Sequence, residues 1–393
     1  MATIGINLLW LVPGVVGGSE EYTLRLLRGL DQFGSDDLWI RLYGQRALFE
    51  AHPDLRSRFE VEVCPDVAAK SLRVVAENSW LATVSRNDDL LHHAGGVIPM
   101  VRSQVPLLTV HDLQPLEMPE YFSYAKKRWL ATMIPRSVRS ARFVLCPSEF
   151  TAERISALLG ASRSKLRVIR HGHEECEPGV LDPARDADLR ERFGRYLLLP
   201  AITYRHKRHI DLIVALDRLR DRFGDLSVVI TGRADSEAEA IDRLIARLEL
   251  GDRVHLLGRV SEDELDALYR SASAMVFPSE YEGFGNPVLE AMARGCPVVT
   301  TDAAALPEVA GLAGLIVPVG HPVALAGAIA RVLDEPGLAE ELSAAGVERA
   351  KRFSWRDASA QLADCYREAL APQEVRANPP GSGNPPGSPA PTM

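Results

Sequence analysis

The sequence predicts an α/β protein built from two doubly wound parallel-sheet domains of the Rossmann type that face a central cleft. Three observations support this prediction. The chain has 393 residues, whereas one domain usually contains about 100–200. Short apolar runs alternate with amphipathic segments, which is typical of parallel strands and their crossover helices. This alternation stops near positions 178–183, where proline, glycine and acidic residues accumulate, and then restarts.

The first half begins with an apolar run at 4–10, which predicts a strand, followed by a glycine-rich loop and a helix over about 19–30. The runs at 107–110 and 143–146 have the length and composition of buried parallel strands. We therefore expect a first domain over residues 1–176, on the side of the cleft that receives an acceptor.

In the second half, each apolar run is followed by a loop and the start of a helix. The predicted strands lie at 196–200, 226–231, 254–257, 274–277 and 297–300. The helices are expected to begin near residues 209, 237, 262 and 287. This pattern predicts a second domain over 177–354, a C-terminal helix over 355–371 and a disordered tail over 372–393, where proline, glycine and serine dominate.

One apolar stretch could be mistaken for a membrane span. Residues 309–330 include no Asp, Glu, Lys or Arg over 22 positions, which is long enough to cross a bilayer. However, the tripeptide Gly320-His321-Pro322 is typical of a turn. We expect a short buried strand at 314–317 and a helix that begins at Pro322.

Composition excludes several classes of protein. Apolar residues make up 46% of the chain and charged residues 25%, as in soluble globular proteins. The net charge of −8 argues against a nucleic-acid partner. The first 176 residues contain 21 basic and 20 acidic side chains, whereas the rest contain 24 and 33, so the first domain is better suited to an anionic partner.

Five widely spaced cysteines without a C-x-x-C pair, and an N-terminus without a basic segment, predict a reducing, cytoplasmic location.

The most informative segment is 277–292, FPSEYEGFGNPVLEAM. A strand ends there, a loop with two glycines follows, and a helix begins for which Asn286 is a suitable N-cap and Pro287 a suitable first residue. The N–H groups and partial positive charge of a helix N-terminus suit a diphosphate. Glu282 and Glu290 add two carboxylates, which accept hydrogen bonds from sugar hydroxyls. Alternatively, Glu290 only complements the helix dipole and Glu282 is a solvated loop charge.

This segment resembles the glutamate–seven residues–glutamate motif of retaining glycosyltransferases with the GT-B fold, family 4 type. The runs 260–265 and 306–311 are similar to the same family, and the similarity extends to about residue 370. The resemblance implies that Glu290 binds the ribose hydroxyls of a nucleotide and that Glu282 contacts the donor sugar at the reaction centre. The other donor-binding positions it implies in the second domain are Gly232, Val260, Phe284, Gly285, Asn286, Pro287 and Leu289.

A basic cluster follows the first strand of the second domain: Arg205, His206, Lys207, Arg208 and His209. A cation at this edge would stabilise the charge on a departing nucleoside diphosphate. The cluster resembles the His-Lys-Asn-His loop of bacterial mannosyltransferase-like members, which implies that Lys207 is the phosphate-binding catalytic lysine. The arginine usual in the family about five residues earlier is absent, so Arg205 or His206 would supply a second cation. The alternative is a solvated basic turn.

In the first domain, His111-Asp112 follows a predicted strand and therefore faces the cleft. Such a pair could be a general-base dyad. The resemblance implies instead that His111 binds the donor sugar at the reaction centre, with Asp112 orienting it, and a hydrogen-bonded loop histidine is the alternative. The Gly17-Gly18 loop departs from the G-x-G-x-x-G fingerprint, and the resemblance places it against the donor phosphates and the acceptor.

A metal site is not expected. His171, His173 and Cys176 have the spacing H-x-H-x-x-C, but no matching distal pair of ligands is evident. The segment more simply forms the turn before the linker.

A basic, aromatic segment suggests contact with a membrane. Residues 121–148 include six basic and no acidic side chains, interleaved with Tyr, Phe and Trp. Such a segment can lie on an anionic leaflet, which predicts weak peripheral binding at the inner face of the plasma membrane. The alternative is a surface helix whose Lys and Arg stems cover apolar area. Pro135 argues against one continuous helix.

Together these features predict a retaining glycosyltransferase that moves a hexose, with mannose favoured, from a nucleotide-diphosphate sugar to a hydroxyl of a glycan or lipid-linked acceptor, in cell-surface polysaccharide or glycolipid assembly. GDP-mannose is the favoured donor, and no cofactor is expected. A GT-B nucleotide-sugar epimerase and a non-catalytic relative that binds sugar nucleotides are the alternatives. A nicotinamide oxidoreductase is disfavoured because its glycine fingerprint is missing.

Overall fold

The computed structural model describes residues 1–15, 17–34, 37–65, 67, 70–102, 104–173 and 181–371. Its first half forms a seven-stranded parallel sheet in the order β3-β2-β1-β4-β5-β6-β7. The strands are β1 (Ala2–Asn7), β2 (Leu38–Gln45), β3 (Glu60–Cys64), β4 (Leu90–His93), β5 (Val105–Thr109), β6 (Phe143–Cys146) and β7 (Leu166–Val168).

The second half forms a six-stranded parallel sheet in the order β10-β9-β8-β11-β12-β13. Its strands are β8 (Arg195–Pro200), β9 (Leu226–Thr231), β10 (Val254–Gly258), β11 (Ala274–Phe277), β12 (Val298–Thr301) and β13 (Gly314–Val317). In each sheet the strand order reverses once, between β1 and β4 and between β8 and β11. The loops at the carboxyl ends of the strands open into a crevice at such points, and ligands bind there.

Helices cover both sheets. In the first half they are α1 (Gly18–Phe33), α2 (Arg46–Ala51), α3 (Asp54–Arg58), α4 (Lys70–Asn78), α5 (Trp80–Val84), α6 (Gln114–Glu117), α7 (Tyr124–Ser140) and α8 (Glu149–Leu159). In the second half they are α9 (Pro183–Phe193), α10 (His209–Arg218), α11 (Ala238–Arg247), α12 (Glu262–Ser271), α13 (Asn286–Ala293), α14 (Leu306–Ala310), α15 (Pro322–Asp334), α16 (Leu338–Ala350) and α17 (Trp355–Leu370).

Burial explains why short apolar runs become strands here. Every residue of β4, β6, β11 and β12 is buried, because helices on both faces leave no side of these strands in water. The predicted fold of two doubly wound parallel-sheet domains is confirmed. The expected tail at 372–393, Cys176 and the first half of the expected linker lie outside the described residues.

The apolar stretch at 309–330 has the structure that its turn residues predict. It contributes the end of α14, the strand β13 and the start of α15 at Pro322. Among the described residues, no helix combines the length and the apolar character needed to cross a bilayer.

The predicted break at Pro135 is wrong, because α7 continues through it from Tyr124 to Ser140. Proline cannot donate a hydrogen bond to the carbonyl four residues earlier. On the other side of the helix, Leu130, Ile134 and Val138 are buried in the same apolar cluster as residues of β5 and β6. This packing holds the helix together across the missing bond.

The C-terminal helix α17 returns to the first domain and packs against α1. At the crossing, a Cβ atom on Gly29 would lie 2.0 Å from Ser359 Oγ, which explains why the residue of α1 is glycine. Farther along, the Tyr366 hydroxyl is 2.8 Å from His92 Nδ1, and Thr109 Oγ1 is 2.8 Å from His92 Nε2. The last described helix therefore completes the core of the first domain.

We predict that Gly29→Ala lowers the free energy of unfolding by about 1–3 kcal/mol, because the added methyl group must displace α17. Gly327→Ala in α15 is a matched control, since its Cβ would meet no atom within 4 Å. The control should gain about 0.5–1 kcal/mol. Urea unfolding followed by circular dichroism measures both changes, and equal stabilities of the two variants would contradict the crossing.

Candidate functional site

The facing edges of the two domains meet at the loop that follows β11. A Cβ atom on Gly283 would lie 2.1 Å from the carbonyl oxygen of His111 in the first domain. Ser148 Oγ, also in the first domain, donates a hydrogen bond of 2.6 Å to the Gly283 carbonyl. Only glycine permits this approach of one backbone to another. The loop with the two expected glutamates is therefore held against the predicted histidine.

Lys207 and Glu282, two of the predicted catalytic residues, form an ion pair. Lys207 Nζ is 2.5 Å from Glu282 Oε1, and both side chains are less than one-fifth exposed. Lys207 follows β8 and Glu282 follows β11, which are neighbouring strands. The ammonium group also lies 5.2 Å from the centre of the Phe277 ring. A cation and a carboxylate thus share one small volume at the crevice of the second sheet.

His111, the third predicted catalytic residue, lies beside this pair and is neutral at pH 7. Burial lowers the pKa of its ring to about 4, although a hydrogen bond to the Ala94 carbonyl acts in the opposite direction. Nε2 is 2.9 Å from that carbonyl and so carries the proton. The other ring nitrogen, Nδ1, is then an acceptor. His111 can receive a hydrogen bond from a hydroxyl group but cannot supply a proton as an acid.

Asp112 does not orient the histidine. Its carboxylate accepts a hydrogen bond of 2.9 Å from the N–H of Gln114, at the start of α6, and burial raises its pKa. The orienting group of His111 is the Ala94 carbonyl. The sequence could not reveal this, because Ala94 follows a different strand.

Glu290 is fixed on both carboxylate oxygens. The Tyr269 hydroxyl donates a hydrogen bond of 2.9 Å to Oε2, and the Asn286 amide donates one of 2.5 Å to Oε1. Burial raises the pKa of Glu290, and the nearby guanidinium of Arg294 lowers it. Sequence reasoning missed Tyr269 and Arg294. Only Arg294 carried a signal, since it lies four residues after Glu290 on the same helix face.

The N-terminus of α13 differs from the expectation by one residue. The N-cap is Gly285, whose φ of 108° is in a region that favours glycine, so Asn286 is the first helical residue and Pro287 the second. The N–H of Leu289 is 3.5 Å from the Gly285 carbonyl, so its bond within the helix is weak. Gly285 N-caps the helix that was expected to receive a diphosphate.

Several predicted donor-binding residues turn their side chains away from the cleft. Phe284 packs between His171, at 4.5 Å between ring centres, and Phe353, at 5.8 Å. Leu289 is fully buried, and Val260 packs against the core of the second domain. Phe284 and Leu289 can therefore offer a ligand only their backbone atoms, whereas Val260 is half-buried.

Packing alone accounts for the glycine at 232. The residue has a φ of 109°, and a Cβ atom there would lie 2.6 Å from the backbone of Ala201. Gly17 and Gly18 differ, because a Cβ at either would meet no atom within 4 Å. Gly17, with a φ of 72°, is the N-cap of α1. Close approach of a ligand therefore remains the prediction for this pair.

The loop after β1 is bonded to the first turn of α1 and lies close to the second domain. The Glu20 carboxylate accepts a hydrogen bond of 2.9 Å from the N–H of Gly14. Across the cleft, Arg259 extends from the end of β10 until Nη1 lies 3.0 Å from a Cβ position on Gly14.

Within the basic cluster, burial decides which groups carry charge. Burial lowers the pKa values of His206 and His209 to about 4, so both are neutral at pH 7. Arg208 pairs with Asp211 at 2.6 Å and with Glu280 at 3.0 Å. Arg205 is exposed and lies 5.6 Å from the centre of the Tyr121 ring. Of the two candidates for the second cation, Arg205 is the one that is charged.

In the turn before the expected linker, His171 makes aromatic contacts. His171 stacks on Tyr22 at 4.4 Å and on Phe284 at 4.5 Å. Burial lowers its pKa to about 3. Within the described ranges, no group of three or more His, Cys, Asp and Glu side chains is placed to bind a metal ion.

Comparison with known families agrees with the two halves of the fold. Residues 16–175 match the family described as "Glycosyltransferase Family 4". Residues 193–349 match the family described as "Glycosyl transferases group 1". The second match includes Lys207, Glu282 and Glu290, and the first includes His111.

Individual proteins extend this agreement. The O-antigen chain mannosyltransferase B of Escherichia coli is 27% identical over 304 residues, which cover 71% of this chain and 74% of that protein. The MMP alpha-(1->4)-mannosyltransferase of Mycolicibacterium hassiacum is 30% identical over 293 residues, 70% of this chain and 68% of that protein. Anabaena HepE, solved in complex with UDP and glucose, has a TM-score of 0.72 at 21% identity, over 94% of this chain and 100% of that chain. The chain therefore belongs to the family 4 glycosyltransferases and has their GT-B fold.

Proposed function

We propose that this glycosyltransferase moves a hexose, with mannose favoured, from a nucleoside-diphosphate sugar to a hydroxyl of a glycan or lipid-linked acceptor, with retention at the anomeric carbon. The acceptor belongs to cell-surface polysaccharide or glycolipid assembly. The observation that carries the proposal is the Lys207–Glu282 pair of 2.5 Å, held by Gly283 against His111.

The donor nucleotide lies along the second domain in this proposal. Glu290, whose carboxylate Tyr269 and Asn286 hold in place, accepts hydrogen bonds from the ribose hydroxyls. The N-terminus of α13 faces the diphosphate with its partial positive charge. Lys207 leaves Glu282 for the phosphate oxygens, and Glu282 then accepts hydrogen bonds from the donor sugar.

The chemistry follows from where charge develops. As the bond between the anomeric carbon and the phosphate oxygen breaks, negative charge grows on the diphosphate, and Lys207 and Arg205 stabilise it. The acceptor oxygen bonds to the same face of the anomeric carbon, and its proton passes to the departing phosphate oxygen. Neutral His111 accepts a hydrogen bond from a donor hydroxyl. In this proposal the acceptor attacks from the face that the diphosphate leaves, so retention requires no covalent intermediate on Glu282 or Asp112.

The choice of donor rests on the relatives. The two described above are named mannosyltransferases, which supports mannose, and GDP-mannose is the favoured donor. The HepE structure contains UDP, so UDP-sugars are the second class to examine. A thermal-shift screen of GDP-, UDP- and ADP-sugars separates them.

Peripheral membrane contact remains part of the proposal. Tyr124, at the start of α7, is 74% exposed, and Arg128 lies 5.8 Å from the centre of its ring. Lys127 is exposed beside them. The opposite face of α7 is buried in the first domain, so only the exposed face of this helix can meet lipid.

Lys207→Ala should lower turnover by about 10²–10³-fold if its cation stabilises the leaving diphosphate. Release of nucleoside diphosphate from the donor measures this, with and without acceptor and in the presence of EDTA. Lys351→Ala, on the exposed surface, is the control. Near-normal turnover of folded Lys207→Ala would remove this lysine from the site, and conversion of the donor sugar without nucleotide release would indicate an epimerase.

Glu290→Ala should weaken binding of the bare nucleotide by about tenfold or more, because the proposed partner is ribose and a hydrogen bond to a charged group contributes about 1.5–3 kcal/mol. Glu282→Ala should spare nucleotide binding and lower the rate of transfer. Calorimetry with the nucleoside diphosphate alone provides the comparison. An equal loss of affinity in both variants would contradict the two roles.

Binding to vesicles with anionic lipid should be weak, stronger at low salt, and lost when Lys126, Lys127 and Arg128 are all changed to Glu, because each cation near the surface contributes about 1 kcal/mol. Co-sedimentation at two salt concentrations measures it, with neutral vesicles and Arg243→Glu in the second domain as controls. Equal binding to anionic and neutral vesicles would show that this helix does not meet the membrane.

A further inference from the structure

A polar cluster in the first domain lies outside the donor site. Asn7 ends β1 and His93 ends β4, and these strands flank the reversal of strand order in the first sheet. Asn7 Nδ2 lies 3.3 Å from His93 Nδ1. Glu77 of α4 is their neighbour, since the Asn7 side chain lowers its pKa while burial raises it. Such sheets bind ligands at the carboxyl ends of the strands, where the strand order reverses, so this cluster lies where the first sheet would bind a ligand.

Two arginines, Arg73 and Arg102, border the cluster. Arg73 lies one turn before Glu77 on α4, and its charge lowers the pKa of the Glu77 carboxyl. The charge of Arg102 contributes to the low pKa of His93. Neither guanidinium makes a hydrogen bond or a salt bridge of 4 Å or less with a described residue. Both Nε atoms are buried. Two guanidinium groups against the single carboxylate of Glu77 leave the cluster with positive charge in excess.

Ring nitrogens add two more buried donors. His93 is 1% exposed, and burial lowers its pKa to about 3. Its Nε2 has no hydrogen-bond partner among the described residues, and the same holds for Trp10 Nε1. A buried N–H left without a partner costs about 1–3 kcal/mol. The Trp10 ring is 5.7 Å from that of His111, so the Trp10 donor lies near the proposed reaction centre.

Exposed apolar side chains adjoin the two arginines. Leu72 is 52% and Val75 61% exposed on α4, and Met100 is 61% and Val101 55% exposed on the loop after β4. Asn78 Oδ1 accepts hydrogen bonds from the N–H groups of Met100, at 2.7 Å, and Val101, at 3.2 Å, so helix and loop form one surface. Arginines next to exposed apolar residues match a ligand in which an anionic group is attached to an apolar chain.

We propose that Arg73, Arg102 and His93 form the acceptor subsite for a phosphate group and that Leu72, Val75, Met100 and Val101 contact the lipid chain attached to it. The acceptor is therefore a lipid-linked phosphate or diphosphate that carries the glycan to be extended. The inference rests on the proposed function, because it places an acceptor beside the donor site.

Farnesyl diphosphate is a suitable probe, and inorganic diphosphate shows what the lipid adds. Binding is measured by calorimetry with the full chain and saturating GDP, or the nucleoside diphosphate selected by the donor screen, so that the donor site is occupied. The wild-type chain should bind farnesyl diphosphate at least tenfold more tightly than inorganic diphosphate. The double change Arg73→Gln and Arg102→Gln should weaken the binding of farnesyl diphosphate at least tenfold. The control variant Arg86→Gln, on the exposed turn before β4, should bind it as the wild-type chain does.

The double change Val75→Ser and Met100→Ser should weaken the binding of farnesyl diphosphate and leave the binding of inorganic diphosphate unchanged. Unchanged binding in the Arg73 and Arg102 variant would overturn the proposal, and so would equal affinities for the two probes or displacement of the probe by the nucleotide. Thermal unfolding of each variant checks that it is folded. If the chain binds no nucleoside diphosphate but these probe results hold, the failure lies in the proposed function and not in the acceptor subsite.

Discussion

The site depends on one backbone contact, the approach of Gly283 to the carbonyl of His111. Any side chain at 283 would separate the two domains at this point. The contact places Glu282 one residue away, and Glu282 in turn holds Lys207 at 2.5 Å. It also draws Ser148 into the interface through its bond to the Gly283 carbonyl. The cation that would act on a leaving group and the ring that would contact the sugar are thus neighbours because two chain segments touch without side chains between them.

A column of neighbouring aromatic rings supports this contact. Trp10, His111, Tyr22, His171 and Phe284 follow one another at ring separations between 4.4 and 5.7 Å. The column begins in the loop after β1 and ends in the loop after β11, so it passes from one domain to the other. Its two histidines are uncharged because burial lowers their pKa values. Stacked neutral rings need no counter-ions, so the charged groups of the interface are those that line the cleft.

The distribution of charge across the cleft follows from burial. In the second domain the potential cations are mostly engaged: Lys207 with Glu282, and Arg208 with Asp211 and Glu280. In the first domain Arg73 and Arg102 lack such partners among the described residues. A diphosphate in the second domain must therefore compete with a carboxylate for Lys207. A phosphate in the first domain would meet two guanidinium groups that form no salt bridge of 4 Å or less with a described residue.

The sequence by itself determined the alternation of elements and the loops that carry the site. Runs such as 143–146 and 274–277 become strands over the residues that the sequence predicts, because a short apolar run between turn residues can be buried on both faces only in a parallel sheet. The order of strand, loop and helix also places Lys207 and Glu282 at the same sheet edge. These are local properties, so local patterns reveal them.

Tertiary structure decided what depends on distant neighbours. Packing of Leu130, Ile134 and Val138 keeps α7 continuous through Pro135, and the fit of Gly29 to Ser359 brings the last helix to the first domain. The neutral state of His111 depends on burial, and the hydrogen bond from Tyr269 to Glu290 depends on a partner from another element. The meeting of Asn7, Glu77 and His93 joins three separate elements. No local pattern encodes such contacts, because they exist only when separate segments are packed together.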